Sequence, residues 1–163
     1  MIYNNWKEES DFEYISPQPK ATAALTRSCD GCTSCCEGWL WGSAHGHNFY
    51  PGRPCHFMGK SGCSIYENRP EDPCKTFKCM WLLNDSVPEW LKPNLSKVII
   101  VERNNDECGY YIEVFETGQK IDSTVLSWIF GYYLNTKINI SVQISGGWIN
   151  YGSKEFLKFK GVL

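Results

Sequence analysis

Cys29-Asp30-Gly31-Cys32-Thr33-Ser34-Cys35-Cys36 is the stretch from which the rest of this chain is read. Cys55, Cys63, Cys74 and Cys79 follow it, so eight of the nine cysteines lie between residues 29 and 79. Thiols this dense serve either metal chelation or disulfides. Nine is an odd number, so full pairing within one chain is impossible. Cys35 and Cys36 are neighbours, which strains a bridge between them and makes pairing elsewhere awkward. The chain opens Met1-Ile2-Tyr3-Asn4-Asn5-Trp6-Lys7-Glu8-Glu9, polar and acidic where a secretory leader needs an apolar run. A soluble, cytoplasmic protein in a reducing compartment is therefore expected, where clustered cysteines are metal ligands more often than disulfides.

The totals narrow the function classes. The 163 residues suit one domain, and 42% hydrophobic content is enough for a core. A formal charge of −2 and a pI near 5.9 give no drive toward nucleic acid or anionic lipid. The longest apolar run, residues 125–134, is too short to span a bilayer. Neither nucleic acid nor membrane is expected as a partner.

Along the chain, residues 1–28 read as an irregular lead-in, interrupted by Pro17 and Pro19, with one short turn at 21–25. Residues 29–83 form the cysteine-cluster region, and residues 84–163 an α+β part packed on it. Between 29 and 72 glycines recur and no hydrophobic period is sustained; a loop that long needs an external organiser, which a metal supplies. Asp72-Pro73 is a helix start, with Asp as N-cap and Pro at the first helical position, and predicts a helix from Cys74 to Leu83. Cys74 and Cys79 would then lie about 140° apart around its axis. They meet at one site only if the first turn is irregular; otherwise they serve different metals.

The second half predicts strands over 97–102 and 111–116 joined by a polar hairpin turn. A helix capped by Asp122 or Ser123 runs to about Leu134, apolar nearly all round, and so is either buried or in contact with a partner. Ile138 to Ile144 alternates as a strand with one wet face. Gly146-Gly147 turns the chain, and Ser153 to Phe159 makes a last short helix. The fold class is a small single-domain α+β protein, with a loop-rich, metal-stapled N-terminal half containing a short helix, and C-terminal antiparallel strands plus a helix.

Thiolate is the soft ligand that zinc and iron–sulfur clusters prefer. The triplet Cys29, Cys32, Cys35 resembles the spacing by which bacterial ferredoxins grip a four-iron cluster, although there the remote cysteine precedes proline, whereas here Cys55 and Cys74 follow Pro54 and Pro73. Paired Cys-x-x-Cys grips are also common in structural zinc sites. Eight thiolates suffice for two four-cysteine sites, and consecutive side chains diverge, so Cys35 and Cys36 are expected in different roles. His56 is a candidate ligand or donor to a ligand, weighed against a loop histidine in solvent. Arg69 either pairs with Glu67 or offsets negative charge on the thiolates. Trp39, Trp41, Phe57, Phe77 and Trp81 either shield a cluster or simply pack. Cys108 reads as a small unligated residue.

Taken in order, Cys29-x-x-Cys32-x-x-Cys35-Cys36, Pro54-Cys55, Gly62-Cys63-Ser64-Ile65-Tyr66-Glu67-x-Arg69-Pro70 and Cys74-x-x-Phe77-x-Cys79-x-Trp81 resemble the CxxCxxCC cysteine-cluster family of zinc- or iron-chelating domains, the YkgJ-like group. The signature is also similar to the cluster-binding part of flagellin lysine N-methylases. The resemblance covers about residues 29–83 and leaves out Cys108. It implies a metal ion or cluster held by Cys29, Cys32, Cys35, Cys36, Cys55, Cys63, Cys74 and Cys79, and in the methylases an iron–sulfur cluster.

Three functions follow as expectations. The first is a metal-binding protein with a structural or redox role, carrying iron–sulfur slightly ahead of zinc. The second is a non-catalytic assembly protein whose metal is purely structural and whose aromatic helix and alternating strand meet a protein partner. The third is a component of a lysine methylase-like enzyme, disfavoured because no Gly-rich nucleotide loop follows a strand and no Ser/His/Asp constellation stands out.

Overall fold

The computed structural model describes residues 26–29 and 31–163. The turn expected at 21–25, and most of the lead-in, lie outside the described residues. The lead-in's last residues are anchored: the Arg27 guanidinium donates to the carbonyls of Trp81 (2.8 Å), Asn84 (3.1 Å) and Val87 (2.7 Å) and lies over the Trp81 ring.

The cysteine region is built from very short pieces. Ser34–Glu37 is a 3-10 turn. Gly42–Ala44 (β1) pairs with His47–Phe49 (β2), and Met58–Gly59 (β3) with Gly62–Cys63 (β4). The first hairpin turns through His45 and Gly46, both left-handed, and Phe49 lays its ring over Gly42 so closely that a Cβ there would collide with it. Two- and three-residue ladders such as these are not stable alone.

The helix expected over 74–83 is broken in two. Residues Glu71–Lys75 form an irregular turn with Asp72 extended, and helix α1 spans only Met80–Leu83, with Cys79 as its N-cap. The chain leaves helical geometry at Asp72 and again at Cys79, which is extended, and only the turn after Cys79, with Met80, Trp81 and Leu82 inside the core, is helical. Pro93–Ser96 (α2) follows, ended by left-handed Lys97.

Val98–Asn105 (β5) and Gly109–Glu116 (β6) form the expected hairpin, longer than the apolar runs alone indicated. Ser123–Thr136 (α3) starts as expected at Asp122, whose carboxylate accepts from Thr124 N. It carries the chain to Asn139–Ile144 (β7), which turns into Gly147–Tyr151 (β8); Lys154–Phe159 (α4) closes the chain. The sheet order is β5-β6-β7-β8. Its outer pairs are antiparallel, as expected, but β6 and β7 run parallel, because the helical crossover returns the chain to the end where β6 began.

Two expectations about burial need correction. α3 is not apolar-buried all round: Val125 and Ile129 face the core, and Leu134 is exposed. β7 has no wet face. Asn139 through Val142 are all buried, Asn139 against the start of α4 and Ser141 against Asn150 of β8. Asn139 donates to the Cys108 carbonyl (3.2 Å) and accepts from Ser153 N (2.7 Å), and the Ser141 hydroxyl donates to Asn150 (2.5 Å). Polar side chains with satisfied partners fit there at little cost.

α4 is fastened by Phe156 against Tyr111 and by Lys160 on Glu113 (2.8 Å), which Arg103 also contacts (3.1 Å). Burial alone would raise the Glu113 carboxyl, but the hydrogen bonds from Lys160 and Arg103 outweigh it and hold the group below its ordinary value of 4.5. A depressed carboxyl adds stability above its ordinary range that is lost as pH falls through it. Glu113→Gln is therefore expected to cost about 2 kcal/mol at neutral pH, between an exposed and a fully buried pair. The loss should shrink below about pH 4 in urea unfolding. Among the described residues, no helix is long and apolar enough to cross a membrane.

Candidate metal centre

All eight cysteines of the cluster line one cavity of about 910 Å³, shared with Leu40, Phe57, Arg69, Phe77 and Trp81. Local turns deliver them. The Cys32 amide bonds to the Cys29 carbonyl (2.9 Å) and the Cys36 amide to the Thr33 carbonyl (2.8 Å). Cys35 and Cys36 sit on the 3-10 turn, where successive side chains diverge by about 120°. Gly38, left-handed at φ 83°, ends the turn, and its missing Cβ admits the Arg53 carbonyl. That contact and the Cys55 amide on the Cys36 carbonyl (2.8 Å) bring the 53–55 segment alongside.

The sulfurs fall into two neighbourhoods. Cys35 feels most the charges of Cys79 and Cys32, then those of its chain neighbour Cys36 and of Cys29. Cys36 feels Cys55, Cys63 and Cys74. Packing divides them the same way. Cys29, Cys35 and Cys79 abut the sheet core, whereas Cys36, Cys55 and Cys74 pack with Ala44, Phe49, Phe57 and Met58. Cys74 and Cys79 thus belong to different groups, and the broken helix between them removes the angular conflict of a continuous one.

Burial, then the neighbouring sulfurs, push the Cys35 thiol far above its ordinary range. The same causes push Cys36 up to about 12, with Arg69 pulling the other way. Cys74 is raised by burial, then by Cys55 and Cys63, again against Arg69. Cys79 is raised by burial, with the backbone amides of Leu82 and Trp81 working against it. Sulfurs so placed ionise together only beside a compensating cation.

The remaining candidates separate clearly. Arg69 does not pair with Glu67; its Nε donates to the Tyr66 carbonyl (2.8 Å), and its guanidinium lies 3.6 Å from the Tyr66 ring centroid, at the Cys36 group. His56 is exposed and stacked on His47 at 4.1 Å, outside the cavity lining. Trp41 is exposed and stacked on Tyr50, while Trp81 is buried. Cys108 is buried beside Tyr111 and Phe156, away from the cavity. None of the nine cysteines, all of which lie among the described residues, is in a disulfide.

No group of three or more His, Cys, Asp or Glu side chains among the described residues is arranged to hold a metal ion directly. The donor set nevertheless fits thiolate chemistry by type and by grouping. One buried atom points the same way: the indole N–H of Trp81, a residue that lines the cavity, has no hydrogen-bond partner among the described residues. An orphaned buried donor is costly, and a sulfur-rich group in the cavity would satisfy it. Arg27 and Lys92, both over the Trp81 ring, hold it there, a role that nothing in the sequence around Arg27 signals.

No family model, no curated protein and no solved structure matches this chain.

Proposed function

We propose that this chain is a metal-binding protein with two adjacent four-thiolate centres, one held by Cys29, Cys32, Cys35 and Cys79 and the other by Cys36, Cys55, Cys63 and Cys74. The observation that carries this reading is that packing separates Cys29, Cys35 and Cys79 from Cys36, Cys55 and Cys74 along the same line as their electrostatic neighbours, to which Cys32 and Cys63 are added by charge alone. Iron–sulfur clusters are the preferred occupants, because the first quartet has the ferredoxin-like triplet and because an unpartnered indole N–H suits a sulfide or thiolate acceptor. Such clusters supply one-electron redox chemistry. Zinc in the same ligand sets is the second reading, and would make the centres purely structural, as in an assembly protein. We place the protein in a reducing, cytoplasmic compartment, where its free thiols persist. A lysine methylase-like activity has only the signature resemblance behind it.

Anaerobic purification with elemental analysis and an absorption spectrum tests this. Brown protein with iron, sulfide and broad absorbance near ~400 nm supports clusters. Colourless protein with two zinc per chain supports the structural reading, and metal-free protein that keeps its fold sinks both. If clusters are found, Trp81→Phe should keep the iron content yet lower a reduction potential. The expected shift is roughly 20–65 mV, the one-electron equivalent of a net hydrogen bond of about 0.5–1.5 kcal/mol. An unmoved potential would remove the indole from that role.

A further inference from the structure

The two edges of the sheet differ. β5 is buried from Val98 to Val101, with α1 and α2 packed along it. β8 lies open: Trp148 is 41% exposed, Ile149 40% and Tyr151 38%. Edge strands are normally blunted by a lysine, a proline or a bulge. Residues 147–151 contain none of these and carry no charge.

The turn before β8 fixes which main-chain groups face outward. Ser145 and Gly146 are both left-handed, at φ 52° and 81°, which makes a two-residue type I′ hairpin. Ile144 and Gly147 then form a hydrogen-bonded pair, and by alternation so do Val142 with Ile149 and Ile140 with Tyr151. The N–H and C=O groups of Trp148 and Asn150 therefore point away from β7, along the free edge.

We propose that β8 pairs antiparallel with β8 of a second copy of this chain, with the two-fold axis at Ile149. The strand is complementary to itself in that register. Trp148 and the partner's Asn150 exchange both backbone hydrogen bonds, and the axis repeats the pair, giving four. Gly147 comes opposite the partner's Tyr151, whose ring covers a strand glycine. Ile149 meets the partner's Ile149 at the axis. With no charge in the strand, self-pairing places no like charges opposite each other, unlike a pairing of β5, which carries Glu102 and Arg103. The apolar surface continues from Tyr151 onto Phe130 and Tyr133 of α3, and Leu134 is exposed on the same helix. The result is an isologous dimer with one continuous eight-stranded sheet. This inference does not depend on what fills the cysteine cavity.

Sedimentation of the full chain, purified anaerobically, tests it. The expected result is a dimer at about 100 µM, as suits a small interface. Ile149→Lys and Ile149→Glu should each weaken the dimer at least tenfold, and mixing the two variants should restore it, because opposite charges then meet at the axis. Asn150→Pro removes an outward N–H and should weaken it, whereas Asn150→Ala, which loses the same side-chain contact to Ser141 but keeps the N–H, should not. A wild type that is monomeric at that concentration overturns the proposal. So does a dimer that the Ile149 variants and Asn150→Pro leave intact, or one that the charge-paired mixture fails to restore.

Discussion

Cys35→Ala and Cys36→Ala are expected to remove different halves of the metal, although the two residues are adjacent. Cys35 faces Cys79, Cys32 and Cys29 against the sheet core, and Cys36 faces Cys55, Cys63 and Cys74 beneath the short hairpins. Each variant should keep about half of the wild-type metal, since losing one of four thiolates opens a closed site. The retained halves should differ in their other ligands. Adding Cys79→Ala to Cys35→Ala should cost no more metal, whereas adding Cys74→Ala should remove the rest. Metal content by elemental analysis reads all of this. Equal loss of both centres on either single substitution would mean one shared site in place of two.

Removing the metal should unfold one half of the protein far more than the other. The ladders β1–β2 and β3–β4 are two or three residues long, and the turns carrying Cys35, Cys36 and Cys74 are single turns. Structural zinc contributes about 10–16 kcal/mol of apparent folding free energy in small zinc-finger peptides, and this region has no comparable core of its own. The sheet has one: Val98, Ile99, Ile112, Val114, Ile138, Ile140 and Val142 are all buried beside α3. Under anaerobic chelation, amide hydrogen exchange across residues 29–79 should rise by orders of magnitude, while β5, β6 and β7 retain most of their protection. Because ligating thiols must lose their protons, and here those protons are held tightly, acid should favour metal release and mildly alkaline conditions should oppose it. Uniform loss of protection, or none, would remove the metal from its proposed organising role.

The parts legible in the sequence are those whose causes are local. The strands read at 97–102, 111–116 and 138–144 show as apolar or alternating runs and fall within or beside β5, β6 and β7, and α3 and α4 start where Asp122 and Ser153 predict them. Where a distant element supplied the deciding contact, the reading failed. β7 alternates like a half-wet strand, yet Asn139 is satisfied by the Cys108 carbonyl and the Ser153 amide that caps α4, and Ser141 by Asn150 of β8. Asp72-Pro73 looks like a helix start, yet Asp72 and Cys79 are both extended and only Met80–Leu83, drawn into the core, is helical. Arg27 carries no local signal at all, because its partners lie more than fifty residues away.

The sequence by itself determined the donor chemistry: eight thiols in a span with too few apolar residues to organise itself, followed by a segment that makes a sheet. Only the tertiary structure decided which sulfur keeps company with which. A side chain's direction in a loop is set by what packs beneath the backbone, and that packing comes from elsewhere in the chain. Cys79 joins Cys35 because α1 is drawn into the sheet core, and Cys55 joins Cys36 because its amide docks on that residue's carbonyl.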